Sequence, residues 1–257
     1  MIPKIIHYCW FGRGPKPELA QKCIESWRKF CPDYTLVEWN EDNFDISSNQ
    51  YVKEAYEARK FAFVTDYVRL YAMYTHGGIY MDTDVMVLKP LDAYLQHQAF
   101  SGFESKTKVP TGIMASEKGQ PLIGEMLSHY DTARFLNKDG SFNMTTNVEV
   151  ITSQLLKKGL IPNGEYQEVE QMAFYPQNVF CPDHKKLNDP EYMEETATIH
   201  YFAGSWKSEK TRNREQSFWW KIIIIPGIKV SKIMTSLFGD KWIKAKNRIR
   251  DHLFAEK

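Results

Sequence analysis

The sequence predicts an α/β domain, and three observations carry that expectation. A short apolar and aromatic run, Lys4–Phe11 (KIIHYCWF), ends at Gly12-Arg13-Gly14-Pro15, as a buried strand does when it leaves the sheet. A helical pattern and a second short strand follow it directly. Further on, a long helical pattern stops at His76-Gly77-Gly78 and passes at once into the apolar run Ile79–Leu88 (IYMDTDVMVL). Strands that alternate with helices in this way belong to layered α/β folds.

Each element has a local reason. Pro17–Phe30 places Leu19, Cys23 and Trp27 at helical spacing, and Cys31-Pro32-Asp33 stops it. Thr35–Trp39 then reads as the second strand. From Val52 to Thr75 the residues Phe61, Val64, Val68, Tyr71 and Thr75 recur every three or four positions, predicting one helix with a glycine stop. The third strand runs Ile79–Leu88 and ends at Lys89-Pro90-Leu91-Asp92. Between about residues 100 and 200, short apolar runs alternate with Gly, Pro and Asn, and no individual element can be assigned. There is no internal repeat and no low-complexity stretch.

At 257 residues, 43% hydrophobic and 25% charged, the chain suits one large domain with an appendage, expected at 1–212 and 213–257. Cys9, Cys23, Cys31 and Cys181 form no C-x-x-C pair and read as reduced thiols. The opening Met-Ile-Pro-Lys-Ile-Ile-His-Tyr is unlike an export signal, and no window has the length of a membrane span, so a cytoplasmic location is expected. Charge is uneven. From Lys207 onward there are 13 Lys and Arg against 5 Asp and Glu, whereas residues 1–206 carry 20 against 27. The basic segment mixes Trp219, Trp220, Ile222–Ile225 and Trp242 with its lysines and arginines. Two readings are open for it: peripheral contact with an anionic membrane surface, or a solvated helical hairpin. The acidic body and the lack of a base-reading motif point away from nucleic acid.

The chemistry concentrates at Asp82-Thr83-Asp84. In an extended strand both carboxylates leave on one side, so two hard oxygen donors face one point. Carboxylates at the end of an apolar strand lose solvation unless a cation or donors compensate, which a divalent ion holding a diphosphate would do. The competing reading is a polar strand end in solvent. Asp66 and Arg69 share a helix face, either as a surface ion pair or folded back toward the carboxylates by the Gly77-Gly78 turn. His200 to Lys207 gathers an imidazole, the Ser205 hydroxyl, the Trp206 indole and the Lys207 ammonium in one segment, a potential metal ligand beside a phosphate partner.

The stretch Lys60–Asp92 (KFAFVTDYVRLYAMYTHGGIYMDTDVMVLKPLD) combines T-D-x-x-R, G-G-I-Y and D-x-D. In this it resembles glycosyltransferase family 32, which contains capsular-polysaccharide sugar transferases and fungal initiating mannosyltransferases. It is more distantly similar to the glucosyltransferase domains of large clostridial toxins. The resemblance implies a GT-A type, Rossmann-like nucleotide-sugar domain with a basic helical C-terminal appendage. It implies retaining transfer of a hexose in surface polysaccharide synthesis, with a glycan or lipid-linked acceptor. It also implies Mn²⁺ or Mg²⁺ at Asp82, Asp84 and His200, with Asp82 reaching the ribose, the donor sugar or the ion's water shell. Asp66 and Arg69 would hold sugar hydroxyls. Trp10 would stack on the base, an alternative being core packing, and the backbone of Ile6, His7 and Tyr8 would read the base edge. Ser205, Trp206 and Lys207 would close over the diphosphate. A UDP-hexose, galactose or glucose, is the first expectation for the donor and GDP-mannose the second. Where the family often shows T-G-P before its acceptor-side helix, this chain has Thr145-Thr146-Asn147.

Two other classes compete. Asp82-Thr83-Asp84-Val85 superficially matches the start of an Asp-nucleophile phosphatase, but Met86 stands where that class has Thr or Val, and the motif arrives late in the chain. A non-catalytic carbohydrate-binding protein would account for the 14% aromatic content but not for the clustered carboxylates, arginine and histidine.

Overall fold

The computed structural model describes residues 1–110 and 112–204. They build the expected α/β architecture. Strands β1 (Ile5–Cys9) and β2 (Thr35–Trp39) flank helix α1 (Glu18–Phe30) in sequence, and β1 pairs in parallel with β2, Ile5 opposite Thr35 through Cys9 opposite Trp39. Strand β3 (Gly78–Met81) pairs in parallel with β1 on its other edge. Past β3 the sheet turns mixed. Strands β5 (Ala99–Gly102), β6 (Ile113–Ser116), β7 (Gln167–Val169) and β8 (Met172–Tyr175) complete a seven-stranded sheet in the order β2-β1-β3-β6-β5-β8-β7, with β6 antiparallel to both neighbours. Strands β4 (Val85–Val87) and β9 (Thr198–His200) form a separate antiparallel pair.

Side-chain alternation divides the interior into two layers. Ile6, Ile79 and Met81 point with Trp27 of α1 into one, while Tyr80, Phe174 and Val64 fill the other. All four cysteines are buried and unpaired, as a reduced set requires.

Two long elements of the sequence reading are each broken. The helix expected over 52–75 is α2 (Gln50–Glu57) followed by α3 (Phe61–His76). Arg59 takes a left-handed φ of 57° and the Lys60 amide bonds back to Ala55, so the chain turns without losing the apolar register on either side. The strand expected over 79–88 is also two strands. After Met81 the chain makes a tight turn closed by the Val85 amide on the Asp82 carbonyl at 3.0 Å, and β4 joins the small sheet. The glycine stop is real: Gly77 and Gly78 have φ of 70° and 115°, and a Cβ on Gly78 would lie 2.7 Å from the Ile5 carbonyl oxygen.

Helices α4 (Pro121–Ser128), α5 (Asn147–Lys157), α6 (Gln177–Phe180) and α7 (Pro190–Met193) complete the fold. No described helix is long and apolar enough to cross a membrane. The segment 213–257 and its proposed boundary at residue 212 lie outside the described residues.

Candidate active site

Asp82 and Asp84 sit on the turn between β3 and β4 rather than on a continuous strand, which corrects the geometric argument while keeping its result. The turn is pinned on both sides. The Asp82 amide donates to the Gly112 carbonyl at 2.8 Å, the Asp84 carbonyl accepts from the Tyr201 amide at 3.0 Å, and the Trp27 indole donates to the Val85 carbonyl at 2.7 Å. Strand β9 runs beside β4 with His200 opposite Val85. His200 Nε2 consequently lies 3.3 Å from an Asp84 oxygen and 3.9 Å from an Asp82 oxygen. One ligand atom from each of Asp82, Asp84 and His200 can be chosen so that all lie within 4.8 Å of one another. Two hard carboxylates and one imidazole form a donor set that could hold a divalent cation.

Asp66 and Arg69 belong to the same cluster. They are not a surface pair, since each is 7% exposed. The Arg69 guanidinium spans the helix and the turn, 3.3 Å from Asp66 and 3.2 Å from Asp82, and lies over the Tyr80 ring at 4.6 Å. Tyr80 donates its hydroxyl to Asp82 at 2.8 Å. Asp82 is thereby held from the α3 side, while Asp84 turns toward α1 and His200.

Burial and neighbouring charge pull these groups in different directions. Burial pushes the Asp66 carboxyl up to about 7, against the Arg69 cation and with the help of Asp82. Burial also opposes ionisation of Asp84, yet His200 and the Ala203 amide, 2.7 Å from its Oδ2, hold it below the ordinary carboxylate range. For His200, burial lowers basicity but Asp84, the Cys181 thiol and Asp82 outweigh it and carry the imidazole up to about 10. Arg69 stays charged, since Asp82, Tyr80 and Asp66 outweigh its desolvation.

The N-terminal candidates divide. Ile6 and His7 lie between two parallel neighbours, Ile6 opposite Ile79 and His7 opposite Tyr80 on one side and β2 on the other, so their backbone groups serve the sheet. The His7 ring is buried between the Gly77 carbonyl at 2.8 Å and the Trp39 indole at 3.1 Å. Tyr8 is buried and gives its hydroxyl to Glu38 at 2.8 Å. The expectation that backbone around Ile6–Tyr8 reads a base thus concerns a strand paired on both sides at Ile6 and His7. The C-terminal end of β1 is what borders the cluster, because Cys9 feels both Arg69 and Asp82. Trp10, one residue on, is half-buried rather than part of the core; its indole donates to the Gly14 carbonyl at 2.6 Å and Lys16 lies 5.8 Å from its ring. Ser205, Trp206 and Lys207 lie outside the described residues.

Three further residues adjoin the cluster: Asn147, noted in the sequence only as the end of Thr145-Thr146-Asn147, and Glu104 and Gly112, which had no place in the sequence reading. Asn147 opens α5, and its backbone N–H works against the upward push of burial on the Asp66 carboxyl. A sequence signal existed, since Thr146 and Glu149 form a complete capping box that sets Asn147 as the first helical residue. Glu104, after β5, carries a carboxyl raised by burial and lies within the field of His200, Asp82 and Arg69; nothing in its local sequence marks it. Gly112 passes so close that a Cβ there would meet Val85 at 2.8 Å and the His200 ring at 3.1 Å.

Comparison with known proteins adds a second line. The family described as "Glycosyltransferase sugar-binding region containing DXD motif" matches residues 17–101. Inositol phosphoceramide mannosyltransferase 3 of Schizosaccharomyces pombe is 29% identical over 134 residues, covering 48% of this chain and 35% of that protein. Mannosyl phosphorylinositol ceramide synthase CSH1 of Saccharomyces cerevisiae is 30% identical over 145 residues, covering 51% and 36%. The chain thus spans about a third of the length of these curated relatives. Among solved structures, the PaToxG glycosyltransferase superposes with a TM-score of 0.45 at 18% identity, covering 62% of this chain and 70% of that one. The galactosyltransferase LgtC in complex with donor and acceptor sugar analogs gives 0.41 at 15%, covering 81% and 91%.

Proposed function

We propose, from the premise that this chain belongs with the glycosyltransferases whose sugar-binding region contains a DXD motif, that it is a metal-dependent, retaining hexosyltransferase with a GT-A type domain. It would use a nucleotide diphosphate sugar as donor. The observation that carries this reading is the convergence of Asp82, Asp84 and His200, two from one turn and one from a distant strand, on a single point.

Asp82, Asp84 and His200 would hold the ion, and a bound Mn²⁺ or Mg²⁺ supplies charge neutralisation to a leaving diphosphate. The other residues act on the protein side. Arg69 keeps Asp82 oriented and offers its cation to the donor from the α3 side, and Asp66, proton-bound or ionised near neutral pH, offers a sugar hydroxyl either an acceptor or a donor. Trp10, half-buried at the end of β1, would stack on a base. Lys207, expected to pair with the diphosphate, belongs to the proposal on sequence grounds alone.

The relatives are named for mannosyl transfer to inositol phosphoceramide. Those names favour a mannosyl donor such as GDP-mannose over the UDP-hexose expected from the sequence, and a lipid-linked acceptor over a capsular glycan. A lipid acceptor agrees with a cytoplasmic enzyme whose segment 213–257 contacts the anionic inner face of the membrane; failure of the full chain to float with acidic liposomes would remove that part. The central test is a panel of UDP-galactose, UDP-glucose and GDP-mannose, assayed for hydrolysis with Mn²⁺ and with EDTA. Cleavage of one donor, lost on chelation, is expected. Donor cleavage indifferent to chelation would sink the metal reading. Free phosphate released from a simple monoester would point to a phosphatase instead.

A further inference from the structure

A metal-binding imidazole points its lone pair in the plane of its ring, so the rotation of the ring decides whether the ligand atom meets the ion. A hydrogen bond at the far nitrogen usually fixes that rotation. His200 turns Nε2 toward Asp82 and Asp84, but its Nδ1 is buried without a hydrogen-bond partner. Packing must supply what the hydrogen bond does not. Gly112 closes one edge of the ring, where an added Cβ would lie 3.1 Å from both Nδ1 and Cε1. Phe202 covers the face, its ring centroid 4.1 Å from that of the imidazole at an interplanar angle of 31°.

Phe202 reaches this position at a conformational cost. Its φ of 51° lies in the left-handed region, which a bulky side chain rarely adopts. Core burial does not draw it there, since Phe202 is 47% exposed. Backbone strain in a half-exposed aromatic residue beside a site points to a use for the conformation. The left-handed turn lays the Phe202 ring on His200, and it also aims the next amide, that of Ala203, at Asp84 Oδ2, 2.7 Å away. Asp84 Oδ1 is left toward His200 Nε2 at 3.3 Å. The entry to the turn is anchored as well, because the Tyr201 amide donates to the Asp84 carbonyl at 3.0 Å and His184 Nε2 donates to the His200 carbonyl at 2.8 Å.

We infer that Phe202 is a positioning residue for two of the three candidate ligands. Its ring sets the plane of the His200 imidazole, and its left-handed backbone ties back one Asp84 oxygen so that the other faces the point shared with Asp82 and His200. The inference rests on the metal reading of those three residues and extends it to the residue that aims them. Ring and backbone are separable by substitution. Asn and Gly accept a left-handed φ, which keeps the Ala203 amide on Asp84, but they remove the ring; Tyr keeps the ring.

The test measures Mn²⁺ affinity of the full chain by electron paramagnetic resonance, without any sugar donor, for wild type, Phe202→Tyr, Phe202→Asn and Phe202→Gly. Phe202→Tyr keeps an aromatic face on the imidazole and should bind Mn²⁺ within about twofold of wild type. Phe202→Asn and Phe202→Gly should each weaken binding about tenfold, the low end for lost outer-shell support of a metal ligand. Thermal unfolding should stay close to wild type in all three, since the side chain is half-exposed. Near-ultraviolet circular dichroism selects the variants that fold, and either variant without the ring suffices. Wild-type affinity in a folded Phe202→Asn or Phe202→Gly protein, or a Phe202→Tyr protein as weak as these, overturns the inference and leaves the metal site standing. Absence of Mn²⁺ binding in wild type overturns the metal reading, and this inference with it.

Discussion

Among the described residues, two buried carboxylate centres are built in opposite ways. Glu54, on α2, is saturated: one oxygen meets the Arg134 guanidinium and Gln50, while the other accepts the Phe135 and Leu136 amides at 2.9 and 3.0 Å. Although burial opposes its charge, Arg134 and these amides hold it down to about 2. The centre around Asp82 is left incomplete. Burial has pushed Asp66 up to about 7, and Arg69 Nε, Asn147 Nδ2 and His200 Nδ1 are buried without hydrogen-bond partners. A structural carboxylate is surrounded until its charge is cheap to keep. At the second centre three acids share one arginine and one histidine, an arrangement that a cation would complete and that folding alone does not require.

The sharpest way to break the comparison is to remove one acid from each centre. Asp84→Ala should lower metal-dependent donor hydrolysis at least about a thousandfold, while the loss of its contacts with His200 and the Ala203 amide should cost no more than about 2 kcal/mol in stability. Substantial activity in a folded Asp84→Ala protein would end the catalytic assignment. Arg69→Ala should cost about a hundredfold in turnover and little in nucleotide affinity measured by calorimetry, because its ion pairs are with Asp66 and Asp82 and its expected partner is the sugar. An equal loss of nucleotide binding would move Arg69 to the nucleotide.

Glu54→Gln should do the reverse. It leaves two backbone amides and Arg134 poorly matched, and stability in denaturant titration should fall by about 2–3 kcal/mol, with turnover per folded molecule unchanged. Its pH signature follows from a depressed folded-state value. The contribution is complete above the ordinary glutamate range and is lost as pH falls toward about 2. A Glu54→Gln variant as stable as wild type would show that the amides are satisfied in some other way.

The two centres also differ in how far the sequence exposed them. The acids and arginine of the second centre were visible because T-D-x-x-R and D-x-D have fixed spacings, and the Gly77-Gly78 turn forces α3 and β3 to run back against each other. Glu54 was invisible, because its partners lie some eighty residues away in a stretch without periodicity, and only the packed fold unites them. The α/β class followed from β1, α1 and β2, where apolar period and turn residues agree. The antiparallel insertion of β6 did not follow, since strands of four residues carry too little pattern to set direction. The kink at Arg59 and the turn at Asp82 were missed for a shared reason: hydrophobic spacing continues across both, and a backbone reversal leaves no mark on it. His200 could be picked out as a ligand candidate, but Glu104 could not, because nothing in its local sequence marks it.

Asp66 offers the finest discrimination between the two kinds of acid. Its folded-state carboxyl is raised to about 7 by burial, against an ordinary value of 3.8. A raised acid favours the folded state fully at low pH, and that advantage is lost as pH rises from the ordinary value through about 7. Asn keeps the shape and one acceptor but cannot ionise. Asp66→Asn should therefore gain in melting temperature relative to wild type between pH 5 and pH 8, on the order of 5 °C for a chain of this size. In the Glu54→Gln variant the difference from wild type should stay flat across the same range, because Glu54 is ionised throughout in both folded and unfolded chains. If Asp66→Asn also tracks wild type in parallel from pH 5 to 8, Asp66 is an ordinary ionised partner of Arg69. The contrast between a saturated and an unfinished carboxylate centre then reduces to Asp82, Asp84 and His200.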